Sequence, residues 1–197
     1  TAPAQEELIK LNRQIKMCQA ESLRQEEIAR QMGETLAGSG LAQQAARRES
    51  AIKAIELSAL SEALTGNYVL AERQARTAVK EQFAQEERDL DIKRQNILNN
   101  YDLFSPSQQK RADAVLARLG KDDQFLKERR LERAAIQNVA IEAIQNGVTN
   151  SDILQRIQGA GSLVDANQIA SKAGAFRKKT VKDSIADDAG IDETTQT

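Results

Sequence analysis

The chain has 197 residues, a net charge of −1 at pH 7, 29 % charged residues and 3 % aromatic residues, with no histidine and a single cysteine. These figures exclude histidine-based catalysis, an internal disulfide and a strong overall field for nucleic acid or anionic lipid. No apolar run approaches the roughly 18 residues that a membrane span requires, and a charge-rich chain with only two prolines is typical of long helices.

The first predicted helix covers residues 5–32. Leu8, Leu11, Ile15 and Cys18 follow one another at intervals of three or four residues, which places them on one side of a helix. When the same spacing is continued along the helix, the next positions are polar, so the apolar stripe is narrow. The helix therefore needs neighbouring helices to bury this stripe. We interpret the lone cysteine on this stripe as a small buried hydrophobic residue.

Residues 33–40 contain three glycines and predict a flexible elbow before a second helix over residues 41–64. Apolar residues occupy two sides of that helix about 120° apart, so we expect it to lie between two other helices. One side carries Ile52, Ile55, Ala59 and Ala63, and the other carries Leu57, Leu60 and Leu64. Gly66 is suited to ending this helix, and Asn67 to capping the next.

A third and long helix is predicted over residues 69–101, because neither glycine nor proline occurs between Gly66 and Pro106. Its packing seam repeats every seven residues, at Phe83, Leu90, Ile97 and Phe104. We expect this seam to pair with the following helix in an antiparallel hairpin. The charged residues elsewhere on the helix, among them Glu86 and Glu87, are interpreted as a solvated face.

A capping box marks the next helix start, with Ser105 as the N-cap, Pro106 in the first helical position and Gln108 completing the box. The glycine-containing segment 120–123 either ends this fourth helix or bends it. A fifth helix is predicted over residues 123–146, and the Asn-Gly pair that follows predicts its end.

The C-terminal part changes character, with a short helix over residues 150–158, a glycine break, and a second short helix from the N-cap Ser162 to Gly174. We predict an all-α fold of long antiparallel helices, either a helical hairpin or a coiled-coil bundle, with a small helical C-terminal cap. The expected units are an N-terminal helix with its elbow, a long-helix bundle, the cap, and a polar tail expected to be disordered. Their respective bounds are residues 1–40, 41–147, 148–174 and 175–197.

Carboxylate pairs are the remaining candidates for catalysis, at residues 86–87 and 122–123. Both pairs lie among lysines and arginines on faces that the apolar stripes turn outward, so we interpret them as solvated. Asp187 and Asp188 are too open to form a metal site. We therefore predict no catalytic residue, no metal ligand and no cofactor site, and we predict that the protein is not an enzyme.

Nucleic-acid binding is the alternative function. Residues 150–182 contain a helix, a turn and a helix followed by basic residues, with Asn167, Gln168 and Lys172 available on the second helix. That helix has no arginine to read guanine, and acidic residues follow the basic ones at once. We therefore predict that the basic cluster is a segment for docking to a partner, consisting of Arg177, Lys178, Lys179 and Lys182.

The order of elements resembles coiled-coil segments of phage and phage-like virion or tail proteins over residues 30–174. The resemblance lies in the glycine-rich elbow, an Ala/Gln/Arg helix over residues 43–64, the Gly66-Asn67-Tyr68 turn, a long charged helix, and the Lys-Arg-Ala-Asp-Ala helix start at residues 110–114. It implies a structural or DNA-ejection component used in several copies, and no functional residue is carried over. We expect a structural or assembly protein, with self-association or other structural proteins as its partners. Its location would be the virion if the resemblance holds and the cytoplasm otherwise.

Overall fold

The computed structural model describes residues 2–32 and 37–176, and every regular element in these ranges is helical. Six α-helices follow in chain order: α1 (Ala2–Met32), α2 (Ala37–Leu64), α3 (Tyr68–Asn100), α4 (Pro106–Gln145), α5 (Ser151–Gln158) and α6 (Leu163–Lys172). A 3-10 turn, Tyr101–Leu103, connects α3 to α4. The prediction of an all-α fold of long antiparallel helices with a small helical cap is confirmed.

Three helices end at a glycine in the left-handed conformation. Gly66, Gly147 and Gly174 have φ angles of 87°, 94° and 86°. In each case the glycine N–H donates to the carbonyl three residues earlier, and the next N–H donates to the carbonyl five residues earlier. This pair of hydrogen bonds satisfies the last carbonyl groups of the helix and turns the chain away from the helix axis. Asn67 follows the first of these turns, but its side chain donates to Glu62 at 3.2 Å and does not cap α3.

Helix α4 is continuous over 40 residues. Of the two alternatives predicted for residues 120–123, an end of the fourth helix is therefore wrong, and the predicted fourth and fifth helices are one helix. The capping box at its start is present, with the Ser105 N–H donating to Gln108 Oε1 at 2.8 Å. Leu119 and Leu126 are both buried on either side of Gly120. Their packing continues the helix through a glycine that costs about 1 kcal/mol relative to alanine.

Helix α2 begins at Ala37, four residues before the predicted start, so Gly38 and Gly40 lie inside its first turns. The rest of the predicted elbow, residues 33–36, lies outside the described residues. Helix α2 packs against α1 on one side and α3 on the other. Ala59 and Leu60, one from each predicted apolar side, are both fully buried, which confirms the prediction that this helix lies between two others.

One main core joins all six helices. It combines buried residues of α1 and α2 with the C-terminal half of α4, and α5 and α6 close it from the far end of the chain. Leu11, Leu60, Leu154 and Ile157 are each fully buried there. We call this part of the molecule the body.

The α3–α4 hairpin extends beyond the body, and we call residues 84–125 the arm. The structure describes every residue of the arm, and only Ala112 and Leu119 are buried in it. A small second cluster, Val79, Phe83 and Leu126, lies at the base of the arm. The arm is therefore a two-helix extension whose helices bury only a thin seam between them.

Candidate functional site

A buried polar cluster lies inside the body, where α2, α4 and α5 meet. Arg133 Nη2 donates to Glu56 Oε1 at 2.8 Å, and Gln137 Nε2 donates to the same oxygen at 3.0 Å. Gln158 Nε2 donates to Gln137 Oε1 at 2.9 Å and to the Glu56 backbone carbonyl at 3.0 Å. Lys53 adds a second cation, 3.9 Å from Glu56 Oε2. Glu56, through its carboxylate and its backbone carbonyl, thus connects α2 to α4 and α5.

The geometry of this cluster suits a structural role. Glu56 Oε1 already accepts two hydrogen bonds, and Arg133 and Lys53 both offset its charge, so the carboxylate is engaged within the fold. Arg133 Nε and Gln158 Oε1 have no hydrogen-bond partner among the described residues. The predicted candidates did not include this cluster. The sequence offers one indication of this cluster, which is that the charged residue Glu56 lies next to Leu57 within the apolar part of α2.

A second polar contact attaches α1 to the start of α5. Glu7 Oε2 accepts a hydrogen bond from the Ser151 N–H at 2.9 Å and another from the Ser151 hydroxyl, while Lys10 Nζ donates to Glu7 Oε1 at 2.9 Å. The Lys10 hydrogen bond and then those from Ser151 lower the pKa of Glu7 from 4.5 to about 2. Gln155 Nε2 donates to Gln14 Oε1 at 2.8 Å one turn further along. These bonds attach α5 to α1.

The four predicted seam residues lie along the hairpin, with one of them buried and the other three partly exposed. Phe83 is buried at the base of the arm, and Leu90 packs against the same cluster while remaining partly exposed. Ile97 and Phe104 are half-buried, and the Phe104 ring meets the Tyr101 ring edge-on at 6.4 Å between centroids. The Tyr101 hydroxyl donates to Asp113 Oδ1 at 2.7 Å, which connects the two helices near the tip.

Two glutamates of the predicted solvated face bridge α3 to α4 instead. Glu86 pairs with Arg129 at 3.1 Å, and Glu87 pairs with Arg130 at 2.7 Å. The Arg129 guanidinium also lies over the rings of Phe83 and Phe125, at 5.3 Å and 5.9 Å from their centroids. The sequence does not show these contacts, because they depend on the register between the two helices.

An open groove follows one side of the arm at these contacts. The side chains of α3 contribute Glu86, Asp89, Leu90 and Lys93, and those of α4 contribute Asp122, Phe125, Leu126 and Arg129. Phe125 is 62 % exposed in this groove. The arm also exposes Ile92, Leu98, Leu103 and Val115, so it carries many of the large apolar side chains that are exposed to solvent in this fold.

The remaining predicted sites lie in the cap and beyond it. Arg177, Lys178, Lys179 and Lys182 are outside the described residues. Asn167, Gln168 and Lys172 are exposed on α6, whose opposite side buries Ala166 and Ala170 in the core. No helix within residues 2–32 or 37–176 combines the length and the apolar character that crossing a membrane requires. Over the same ranges, no group of three or more potential metal ligands is present.

Comparison with models of protein families, with curated proteins and with solved structures gives no match. The function of the protein is therefore inferred from the structure of this chain alone. Two features support this inference: a body in which one buried polar cluster joins α2, α4 and α5, and an arm that leaves large apolar side chains exposed.

Proposed function

We propose that this protein is a non-enzymatic structural or assembly element, and that the arm is the surface through which it contacts protein partners. The observation that carries this proposal is the sparse burial of the arm, where Ala112 and Leu119 are the two buried residues in the range 84–125. Helices in proteins draw most of their stability from the tertiary packing of an apolar face. A partner that packs beside the arm would supply the packing that the single chain lacks.

The composition of the open surface supports the same proposal. Phe125 and Leu103 are more than half exposed, and each has charged residues as near neighbours in the sequence. Aromatic residues and arginine, such as Phe125 and the Arg129 beside it, are enriched at protein interfaces relative to the rest of the surface. The body contributes rigidity, because the Glu56 cluster holds three of its helices in one arrangement.

The finer proposal is a virion or tail component of a phage-like particle. It rests on the resemblance of residues 30–174 to coiled-coil segments of such proteins, together with the open arm. Particles of that kind are built from repeated side-by-side contacts between copies of a few chains. The proposed partners are accordingly further copies of this chain or other structural proteins.

Nucleic-acid binding through residues 150–182 is the second candidate. The observation that favours it is the exposure of Asn167, Gln168 and Lys172 along one side of α6. The same side exposes Asp165, and α6 carries no arginine. A phosphate backbone would meet only one cation on this helix, which is a weak electrostatic footprint.

The mass of the full chain in solution, measured beside a DNA titration, separates the two candidates. We expect oligomers at tens of micromolar protein and no binding to either of two unrelated duplexes at about 0.15 M salt. A chain that stays monomeric and binds duplex DNA with a steep salt dependence would contradict the proposed assembly role. It would favour the function assigned to residues 150–182.

A further inference from the structure

One side of α4 carries an exposed row of residues along the arm, which we call the α4 stripe. Its members are Arg111, Val115, Arg118, Asp122, Phe125 and Arg129. Their intervals of four, three, four, three and four residues place them on one side of a helix. All six are exposed, and the last three line the groove beside α3.

Two copies of the α4 stripe are complementary to each other when they run antiparallel, with residue 120 of one copy opposite residue 120 of the other. In that arrangement Val115 of one copy lies opposite Phe125 of the other, and Arg118 lies opposite Asp122. A two-fold axis generates each of these contacts twice. Neither Arg118 nor Asp122 has an ion-pair partner among the residues that the structure describes. A parallel arrangement would place each arginine and each aspartate against its own copy, which is repulsive.

The outer end of the reversed arrangement brings Arg111 near Arg129. The charge of Arg129 is already offset by Glu86 at 3.1 Å, and its guanidinium is held over Phe125. Asp89 lines the same groove as Arg129, so it offers a carboxylate to the incoming Arg111. The outer contact is therefore compatible with the two inner ones.

We propose that two copies of this chain associate through their arms, with the α4 stripes antiparallel and a two-fold axis near residue 120. This inference rests on the proposed function, in which the arm is an assembly surface, and it names the partner as a second copy. The result is a four-helix arrangement in which Phe125 of each copy is covered. The self-complementary order of charges selects a second copy over an unrelated partner.

The dimensions of the arm predict the strength of this contact. The α4 stripe is ~27 Å long at 1.5 Å per residue, and two adjacent helices are about 20 Å across. Two copies would therefore cover roughly 1,000 Å² in total, which is at the lower limit for a specific interface. We expect a reversible dimer with a dissociation constant on the order of micromolar, weakened by added salt because its ion pairs are near the surface.

A charge exchange in the full chain tests the register. Arg118→Asp alone and Asp122→Arg alone each place like charges opposite one another twice, and we expect each to weaken dimerisation at least about tenfold. The double variant, Arg118→Asp with Asp122→Arg, restores both opposite-charge pairs and should return the dissociation constant to within about threefold of the original. Sedimentation equilibrium from about 5 to 200 μM measures all four chains in the range where such a dimer dissociates.

A matched pair of apolar variants tests the position of the interface. Phe125→Ser removes the aromatic ring of the α4 stripe and should weaken the dimer at least about tenfold. Leu131→Ser is the control, because Leu131 is 71 % exposed on the same helix but points about 240° round from Phe125. We expect this control to leave the dissociation constant unchanged. Far-ultraviolet circular dichroism confirms that each variant keeps its helical content.

The outcomes separate this inference from the proposed function. A wild-type oligomer that is insensitive to Arg118→Asp and Phe125→Ser overturns the α4 contact and leaves the assembly role intact. Single variants that dissociate the dimer without rescue by the double variant overturn the antiparallel register. A wild-type chain that remains monomeric throughout the concentration range overturns both the α4 contact and self-association as the assembly mode.

Discussion

Glu7 is a single carboxylate that attaches the first helix of the chain to the start of the fifth. Its hydrogen bonds to Lys10 and Ser151 hold its pKa at about 2, below the ordinary value of 4.5. A carboxylate with a lowered pKa in the folded protein stabilises the fold in its ionised form. This contribution is complete above about pH 4.5 and is lost as the pH falls towards 2.

We predict that Glu7→Gln removes this part of the acid sensitivity. At pH 7 the variant should be less stable by about 2–3 kcal/mol, because the bonds to the charged carboxylate that lower the pKa of Glu7 from 4.5 to about 2 are lost. Between pH 5 and 2 its free energy of unfolding should fall less than that of the wild type, so that the two curves converge. Urea unfolding across this pH range measures both, with the exposed Glu6→Gln as control. Curves that stay parallel would contradict the assignment.

We predict that two of the three arginine–glutamate pairs of α4 contribute differently to stability. Arg133→Leu leaves the buried Glu56 carboxylate without its main cation, and we expect a loss of about 3 kcal/mol. Arg130→Leu breaks a pair whose side chains are 42 % and 35 % exposed, and we expect a loss below about 1 kcal/mol. Thermal and urea unfolding of the two variants give the comparison. Similar losses would show that burial does not determine the contribution of these pairs.

The buried polar residues were the least predictable part of the body. Glu56, Gln137 and Gln158 are polar residues of amphipathic helices, where a polar residue is usually solvated. Their burial depends on α5, which reaches the cluster from much later in the chain. A sequence pattern reports the period of one helix and does not show which remote helix will cover it.

At the scale of the elements, local signals predicted the ends of α3 to within one residue. Helix α3 was predicted over residues 69–101 and is found at Tyr68–Asn100, because a glycine turn and a capping box act within a few residues. The continuity of α4 could not be predicted in the same way. Gly120 weakens the helix locally, but Leu126 packs against Val79 and Phe83 of α3, and a local sequence signal does not show that contact.

We predict that alanine has opposite effects at two glycines. Gly66→Ala should destabilise the protein by about 1 kcal/mol, because φ is 87° there and a side chain strains that conformation. Gly120→Ala should stabilise it by about 0.5–1 kcal/mol, because the position is inside a helix and a Cβ atom meets nothing within 4 Å. Urea unfolding of the two variants tests the signs. A loss of stability in Gly120→Ala would indicate that a close neighbour occupies that face.

At the scale of the whole molecule, the body and the arm differ in how much of their surface is buried. We predict that amide hydrogens in residues 91–105 exchange faster than those in residues 137–144, because local opening requires less energy where few side chains are buried. Hydrogen exchange followed by mass spectrometry resolves the two regions. Raising the protein concentration should slow exchange in the arm and leave the body unchanged. Equal protection of both regions at low concentration would contradict the division into body and arm.

The bonds between the first and fifth helices also bear on how the protein is made. Glu7 and Gln14 contact partners that follow them by 144 and 141 residues, and α5 contributes Leu154 and Ile157 to the core. Each long hairpin can form from neighbouring segments as soon as it leaves the ribosome. The body, however, can close completely only after α5 and α6 have both emerged. A chain released before Ser151 would contain all four long helices and still lack the two short helices that complete its core.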